Sequence, residues 1–283
     1  MSSAPPIVVA LAGRHDDAAP LALAVTFSAL TGAPLALATA CPVDPLAAPP
    51  PSCVPEITAA TKARLEEAAA TLPNGTEVTV HVHFGGPAAV IHRLAGELDA
   101  ALVVAGSSHR GHAGRVLAGD TSMRILHGSR VALAVAPRDH AIPARLARIA
   151  VAYDGSTESR EALAAAVGLA LLAGGEVTAC TVQESVADRP RAERIAREAL
   201  ELAPAEVVRH ADVLTGHPAR ALAGLSSGFD LIVCGSRGHG TLRAALLGSV
   251  VERLVEATAC PVLVLPREPQ HVLAMLHRRA EAT

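Results

Sequence analysis

The chain has 283 residues, a formal net charge of −3, and a composition that is 51% hydrophobic but 1% aromatic. That length favours two domains, and a core short of aromatics must be built from Ala, Val and Leu, which suits helices packed on buried strands. With no Trp, one Tyr and three Phe, and with basic residues scattered among acids, the chain offers neither stacking platforms nor a basic stripe, which argues against nucleic-acid and membrane-surface binding.

Ile7-Val8-Val9-Ala10 reads as a first buried strand, and the absence of a basic residue before Arg14 predicts no secretory leader. Leu21 to Ala40 runs twenty residues without a charge, long enough for a membrane span. Thr31-Gly32-Ala33-Pro34 at its centre instead marks a helix end followed by a strand. Cys41 to Pro55 holds six prolines and predicts a stiff excursion in place of a regular segment. Pro137 to Pro143 reads as the junction, dividing the chain into a first domain (1–138), a linker (139–144), a second domain (145–266) and a tail (267–283).

In the second half the predicted strands are Ile149–Tyr153, Val177–Val182, Val207–His210, Leu231–Cys234 and Val262–Leu265. Helices are predicted near Glu158–Leu172, Ala192–Leu202, Pro218–Ser226 and Ser249–Ala257. The tail either adds a short amphipathic helix, with Val272, Leu273, Met275 and Leu276 on one face, or frays. Cys41, Cys53, Cys180, Cys234 and Cys260 are odd in number, never spaced C-x-x-C and mostly in apolar runs, so they read as reduced core thiols of a cytoplasmic protein.

The chain repeats itself. Leu102-Val103-Val104-Ala105-Gly106-Ser107 aligns with Leu231-Ile232-Val233-Cys234-Gly235-Ser236 at an offset of 129 residues, and Arg130 to Pro137 aligns with Ala259 to Pro266 at the same offset. The implied fold class is α/β: two tandem, doubly wound, five-stranded, parallel-sheet, Rossmann-like domains. In such sheets ligands sit beyond the carboxyl ends of the strands, which singles out the loops after Tyr153, Val182 and Cys234.

The loop after Leu231–Cys234 carries the pattern G-x2-G-x9-G-[ST], with Gly235, Gly238, Gly248 and Ser249 at its fixed positions. Glycines at a strand end let backbone N–H groups approach phosphate oxygens, and Ser249 stands with Val250 where a helix begins and its dipole favours an anion. Arg237, His239 and Arg243 add positive charge. Ser249 with Glu252 is equally a capping box that only starts a helix. Asp154, at the end of the first strand, is either a turn or N-cap residue or an acceptor for ribose hydroxyls or an adenine amine.

The segments Val-Ala-Tyr-Asp-Gly-Ser, Cys-Gly-Ser-Arg-Gly-His-Gly, Leu-Leu-Gly-Ser-Val-Val-Glu-Arg-Leu and Ala-Cys-Pro-Val-Leu-Val-Leu-Pro together resemble the universal stress protein family, and the resemblance spans the second half. It implies an adenine nucleotide alpha hydrolase-like fold and ATP, carried with Mg2+ or Mn2+. In ATP-binding members the strand-1 aspartate contacts the nucleoside, a residue after strand 2 contacts adenine through its backbone, and the Gly loop holds ribose and phosphates. Carried over residue by residue, these are Asp154, Val182, Gly235, Gly238, Gly248 and Ser249. The resemblance also implies dimers paired through the last strand, a contact whose two sides Arg130–Val135 and Cys260–Leu265 can supply within one chain; a homodimer of whole chains is a further possibility.

The first half departs from the pattern, with Ala12 at the place of Asp154, His109 at that of Gly238 and Asp120 at that of Ser249. A carboxylate facing a phosphate costs about 1–4 kcal/mol, weakening binding about ten- to a thousandfold. The first domain is therefore expected to bind no ATP, or only a ligand without phosphates, and to serve as a packing partner. His81, His83, His92, His109 and His112 lack Cys or carboxylate partners at ligand spacing. The absence of G-x-x-x-x-G-K-[ST] excludes a P-loop phosphotransferase. Three readings remain: an adenine nucleotide-binding protein that regulates association with a protein partner, with slow hydrolysis at most; an adenylating enzyme of the same architecture; and a scaffold that binds no nucleotide.

Overall fold

The computed structural model describes residues 4–12, 17–41, 51–107, 121–127, 129–137, 141–236 and 249–281. In the first half the order is β1 (Ile7–Leu11), α1 (Ala18–Thr31), β2 (Leu35–Cys41), α2 (Val54–Ala70), β3 (Val78–Phe84), α3 (Pro87–Glu97), β4 (Leu102–Gly106), α4 (Thr121–Leu126) and β5 (Ala132–Ala136). The second half repeats it with β6 (Arg148–Ala152), α5 (Thr157–Ala173), β7 (Glu176–Gln183), α6 (Arg189–Glu201), β8 (Val208–Thr215), α7 (Pro218–Leu225), β9 (Leu231–Gly235), α8 (Ser249–Ala257) and β10 (Val262–Leu265). One more helix, α9 (Gln270–Glu281), follows.

Among the described residues the strands form one sheet in the order β3-β2-β1-β4-β5-β10-β9-β6-β7-β8. Every neighbour is parallel except β5 and β10, which pair antiparallel with Val135 opposite Val262, Ala134 opposite Leu263 and Leu133 opposite Val264. Each half is thus doubly wound, and the two last strands meet within one chain.

Side-chain alternation divides the core into two layers. Ile7, Val9 and Leu11 face a layer with α1, α5 and α9, while Val8 faces one with α3, α4, α7 and α8. Both layers run without interruption from one half into the other. The uncharged Leu21–Ala40 stretch splits at Gly32, whose φ of 70° caps α1 in the left-handed region and turns the chain into β2. No helix of the described residues is long and apolar enough to cross a membrane.

Two expectations need correction, and one alternative is decided. The proline-rich stretch is regular where it is described: from Pro51 a 3-10 turn leads into α2, where Pro55 sits in the first turn and its missing N–H costs nothing; residues 42–50 lie outside the described ones. β8 runs five residues beyond the expected His210, because an edge strand tolerates the polar side chains that hid its length, and its register shifts between Val177 and Thr178. Of the two readings of the tail the helix is the one adopted, with Val272, Met275 and Leu276 buried against the α1/α5 layer. Gly168 of α5 permits this approach, since a Cβ there would lie 3.3 Å from Leu276 Cβ.

Leu263 is fully buried in β10 between the halves. Leu263→Ala is expected to cost about 2–5 kcal/mol and to lower a single unfolding transition shared by both halves. Calorimetry showing two separated transitions, only one of them shifted, would contradict the shared core.

Candidate functional site

In the second half the strand order reverses between β6 and β9, the position at which doubly wound sheets open a crevice beyond the carboxyl ends of their strands. Val151 pairs with Val233, which brings the Asp154 turn after β6 alongside Gly235 at the end of β9 and Ser236 just beyond it. Gly235 lies opposite Leu265, and the Ser236 N–H donates to the Leu265 carbonyl at 2.8 Å. The first half repeats that bond from Ser107 to Ala136, also at 2.8 Å.

Asp154 is half-buried, and its Oδ1 accepts from the Ser156 N–H at 3.0 Å and the Ser156 hydroxyl at 2.5 Å. Ser156 in turn caps α5 by accepting the Ser159 N–H at 3.2 Å. Asp154 therefore has the turn role anticipated for it and also stands at the crevice. Gly155 between them has a φ of 77°, a conformation that needs glycine.

The other residues singled out in sequence fall into two groups. Val182 lies within β7, one residue before its end, rather than in the loop beyond. Val250 is the second residue of α8 and its half-buried side chain packs against the core, leaving only its backbone for a ligand. Ser249 opens α8. Arg237, Gly238, His239, Arg243 and Gly248 lie outside the described residues, as do His109, His112 and Asp120.

Of the five cysteines expected in the core, Cys180, Cys234 and Cys260 are buried, whereas Cys41 and Cys53 are only half-buried. Burial pushes the thiols of Cys180, Cys234 and Cys260 up to about 12, which suppresses the thiolate that a nucleophile needs. The rings of His81 and His83 stack 6.4 Å apart, and His92 is held to the Ile125 carbonyl at 2.7 Å. Among the described residues no group of three or more His, Cys, Asp or Glu side chains is placed to hold a metal ion.

Two features escaped the sequence reading. Asp17, which precedes α1, sends Oδ1 back to the N–H of Ala12 at 2.8 Å, so a carboxylate reaches the end of β1 from five residues downstream. Beside Asp154, the buried Tyr153 donates its hydroxyl to Glu198 Oε1 at 2.8 Å, and Arg160 donates to the same oxygen from Nε at 2.9 Å and Nη2 at 2.7 Å. The hydrogen bonds from Arg160 hold the Glu198 carboxyl below its ordinary range, while burial, and then the bond to Glu198, pushes the Tyr153 phenol up to about 12. That the only tyrosine ends a buried strand was the one available clue; its partner is 45 residues away.

Because the chain has one Tyr, tyrosinate absorbance reports Tyr153 alone. Its phenol is raised on folding, so its contribution to stability is complete below the unfolded value of about 10 and is lost as pH climbs through about 12. Read immediately after a pH jump, the native chain should ionise near 12 and Glu198→Ala at lower pH. Identical titrations would contradict the bond.

The sequence model of the universal stress protein family matches this chain twice, over residues 5–137 and 146–266. A universal stress protein of Mycobacterium tuberculosis is 33% identical over 182 residues, a stretch covering 59% of this chain and 62% of that protein. The match thus spans about three-fifths of the mycobacterial relative's length. One from Thermus aquaticus is 33% identical over 135 residues, 41% of this chain and 96% of its own. The crystal structure of a universal stress protein from Archaeoglobus fulgidus superimposes with a TM-score of 0.71 at 22% identity, covering 93% of this chain and 97% of that one. With both halves matched in sequence and the whole sheet matched in shape, the chain belongs to the universal stress protein family.

Proposed function

We propose that the second half binds ATP, with its nucleoside against Asp154 and its phosphates on the backbone of the 235–249 loop, and that the bound nucleotide regulates association with a protein partner. The observation that carries this reading is the placement of Asp154 beside Gly235 and Ser236 at the point where strand order reverses, followed by α8 opening at Ser249. Such a crevice offers a carboxylate to hydroxyl or amine donors at one end and helix N–H groups to an anion at the other. A divalent cation, Mg2+ or Mn2+, would arrive with the triphosphate and be held chiefly by its oxygens.

The first half supports a division of labour. Ala12 stands at the place of Asp154, and the Asp17 carboxylate that reaches it is engaged by the Ala12 N–H. Its role is to complete the sheet through β5. Apart from His239 and Asp154, no residue near the loop reads as a general base, and Asp154 Oδ1 is engaged by Ser156, so turnover is expected to be slow.

Mass analysis of ligand released from the purified chain should find an adenine nucleotide. Added ATP at about a hundredfold excess over Kd should stabilise the protein by about 2.7 kcal/mol, and a Gly238→His/Ser249→Asp double variant, which copies the first half, should lose that gain. Retention of nucleotide by the variant would refute the pocket. An unchanged melting temperature in the unsubstituted chain would favour the scaffold reading, and pyrophosphate release would favour the adenylating enzyme.

A further inference from the structure

Tyr153, directly after β6, Arg160, in the first turn of α5, and Glu198, in the last turn of α6, meet on one Glu198 carboxylate oxygen. The turn carrying Asp154 rests on the same spot. A Cβ on Gly155 would lie 3.7 Å from Ile195 and 3.8 Å from Glu198 Oε2, so the backbone next to Asp154 sits directly on α6. Tyr153 is held by its hydroxyl below, and Ser156 holds Asp154 by its carboxylate above.

The first half supplies an internal comparison. The spacing that matches Ala12 to Asp154 puts Leu11 at the place of Tyr153, and the fourth residue of α1, the place that Arg160 holds in α5, is Leu21; neither can make the tie. Both residues instead line a cavity of about 1260 Å³ between α1 and α2. The tie is therefore present in the half that keeps Asp154 and absent from the half that lost it.

We infer that Tyr153, Arg160 and Glu198 are positioning residues that fix the Asp154 turn for the nucleoside end of a nucleotide. This rests on the nucleotide reading of the crevice. The three residues act through Asp154, and the triphosphate end, held by the backbone of a different loop, does not depend on them. A bond between α5 and α6 that merely stabilised the fold would affect both ends of the ligand alike.

Binding of ATP and of inorganic tripolyphosphate to the full-length chain separates these possibilities when measured by calorimetry for Tyr153→Phe, Glu198→Ala, Glu198→Gln and Asp154→Ala. The expected result is about a tenfold loss of ATP affinity in Glu198→Ala, a smaller loss in Tyr153→Phe, and substantial rescue by Glu198→Gln, which keeps an acceptor for the phenol. Tripolyphosphate affinity should be unchanged in all four. Wild-type ATP affinity in both Tyr153→Phe and Glu198→Ala, alongside a loss in Asp154→Ala, would overturn the positioning role while leaving the nucleotide reading intact. Equal loss of ATP and tripolyphosphate would also overturn it, since that marks general loosening. Failure of the unsubstituted, folded chain to bind ATP would sink the nucleotide reading and this inference with it.

Discussion

The antiparallel pairing of β5 with β10 is the contact on which the molecule depends. Ala132–Ala136 and Val262–Leu265 are buried on both faces, so either strand left at an edge would expose an apolar ladder with unpaired N–H and C=O groups. Joining them removes both edges at once. It also brings α1 beside α5, creates the apolar surface that α9 covers, and sets His127 at the end of α4 2.9 Å from Glu252 of α8. The outer strands that remain, β3 and β8, carry polar and charged side chains such as His81, His83, Arg209 and Asp212.

Much of this was legible in the residues. The 129-residue offset foretold two equivalent units, and the hydrogen bonds from Ser107 and Ser236 repeat at that same interval. Gly32 told a broken helix from a membrane span because only a left-handed cap explains glycine there. Short apolar runs located the central strands, since strands buried on both faces read as continuous hydrophobics. The β5–β10 pairing followed from the family resemblance together with the repeat.

What escaped had physical causes. β8 looked short because its outer residues see water and alternate with polar ones. The tie from Tyr153 to Glu198 joins residues far apart in sequence, and no local period marks which of the several glutamates on α6 will point inward. Asp17 was overlooked because the comparison of the halves matched residues position for position, whereas a short turn let a carboxylate arrive from elsewhere. The glycine loop itself could be read only as a pattern, and most of its residues lie outside those described.

The reversal at the centre of the sheet sets a direction as well as a contact. Strands within each half share one polarity, and the two halves run head to tail against each other. Their carboxyl ends therefore emerge on opposite margins of the molecule. A ligand of nucleotide size bound beyond one set of carboxyl ends could not reach the other. Any influence of one half on the other must travel through the shared seam of strands and helices or along the chain that joins them.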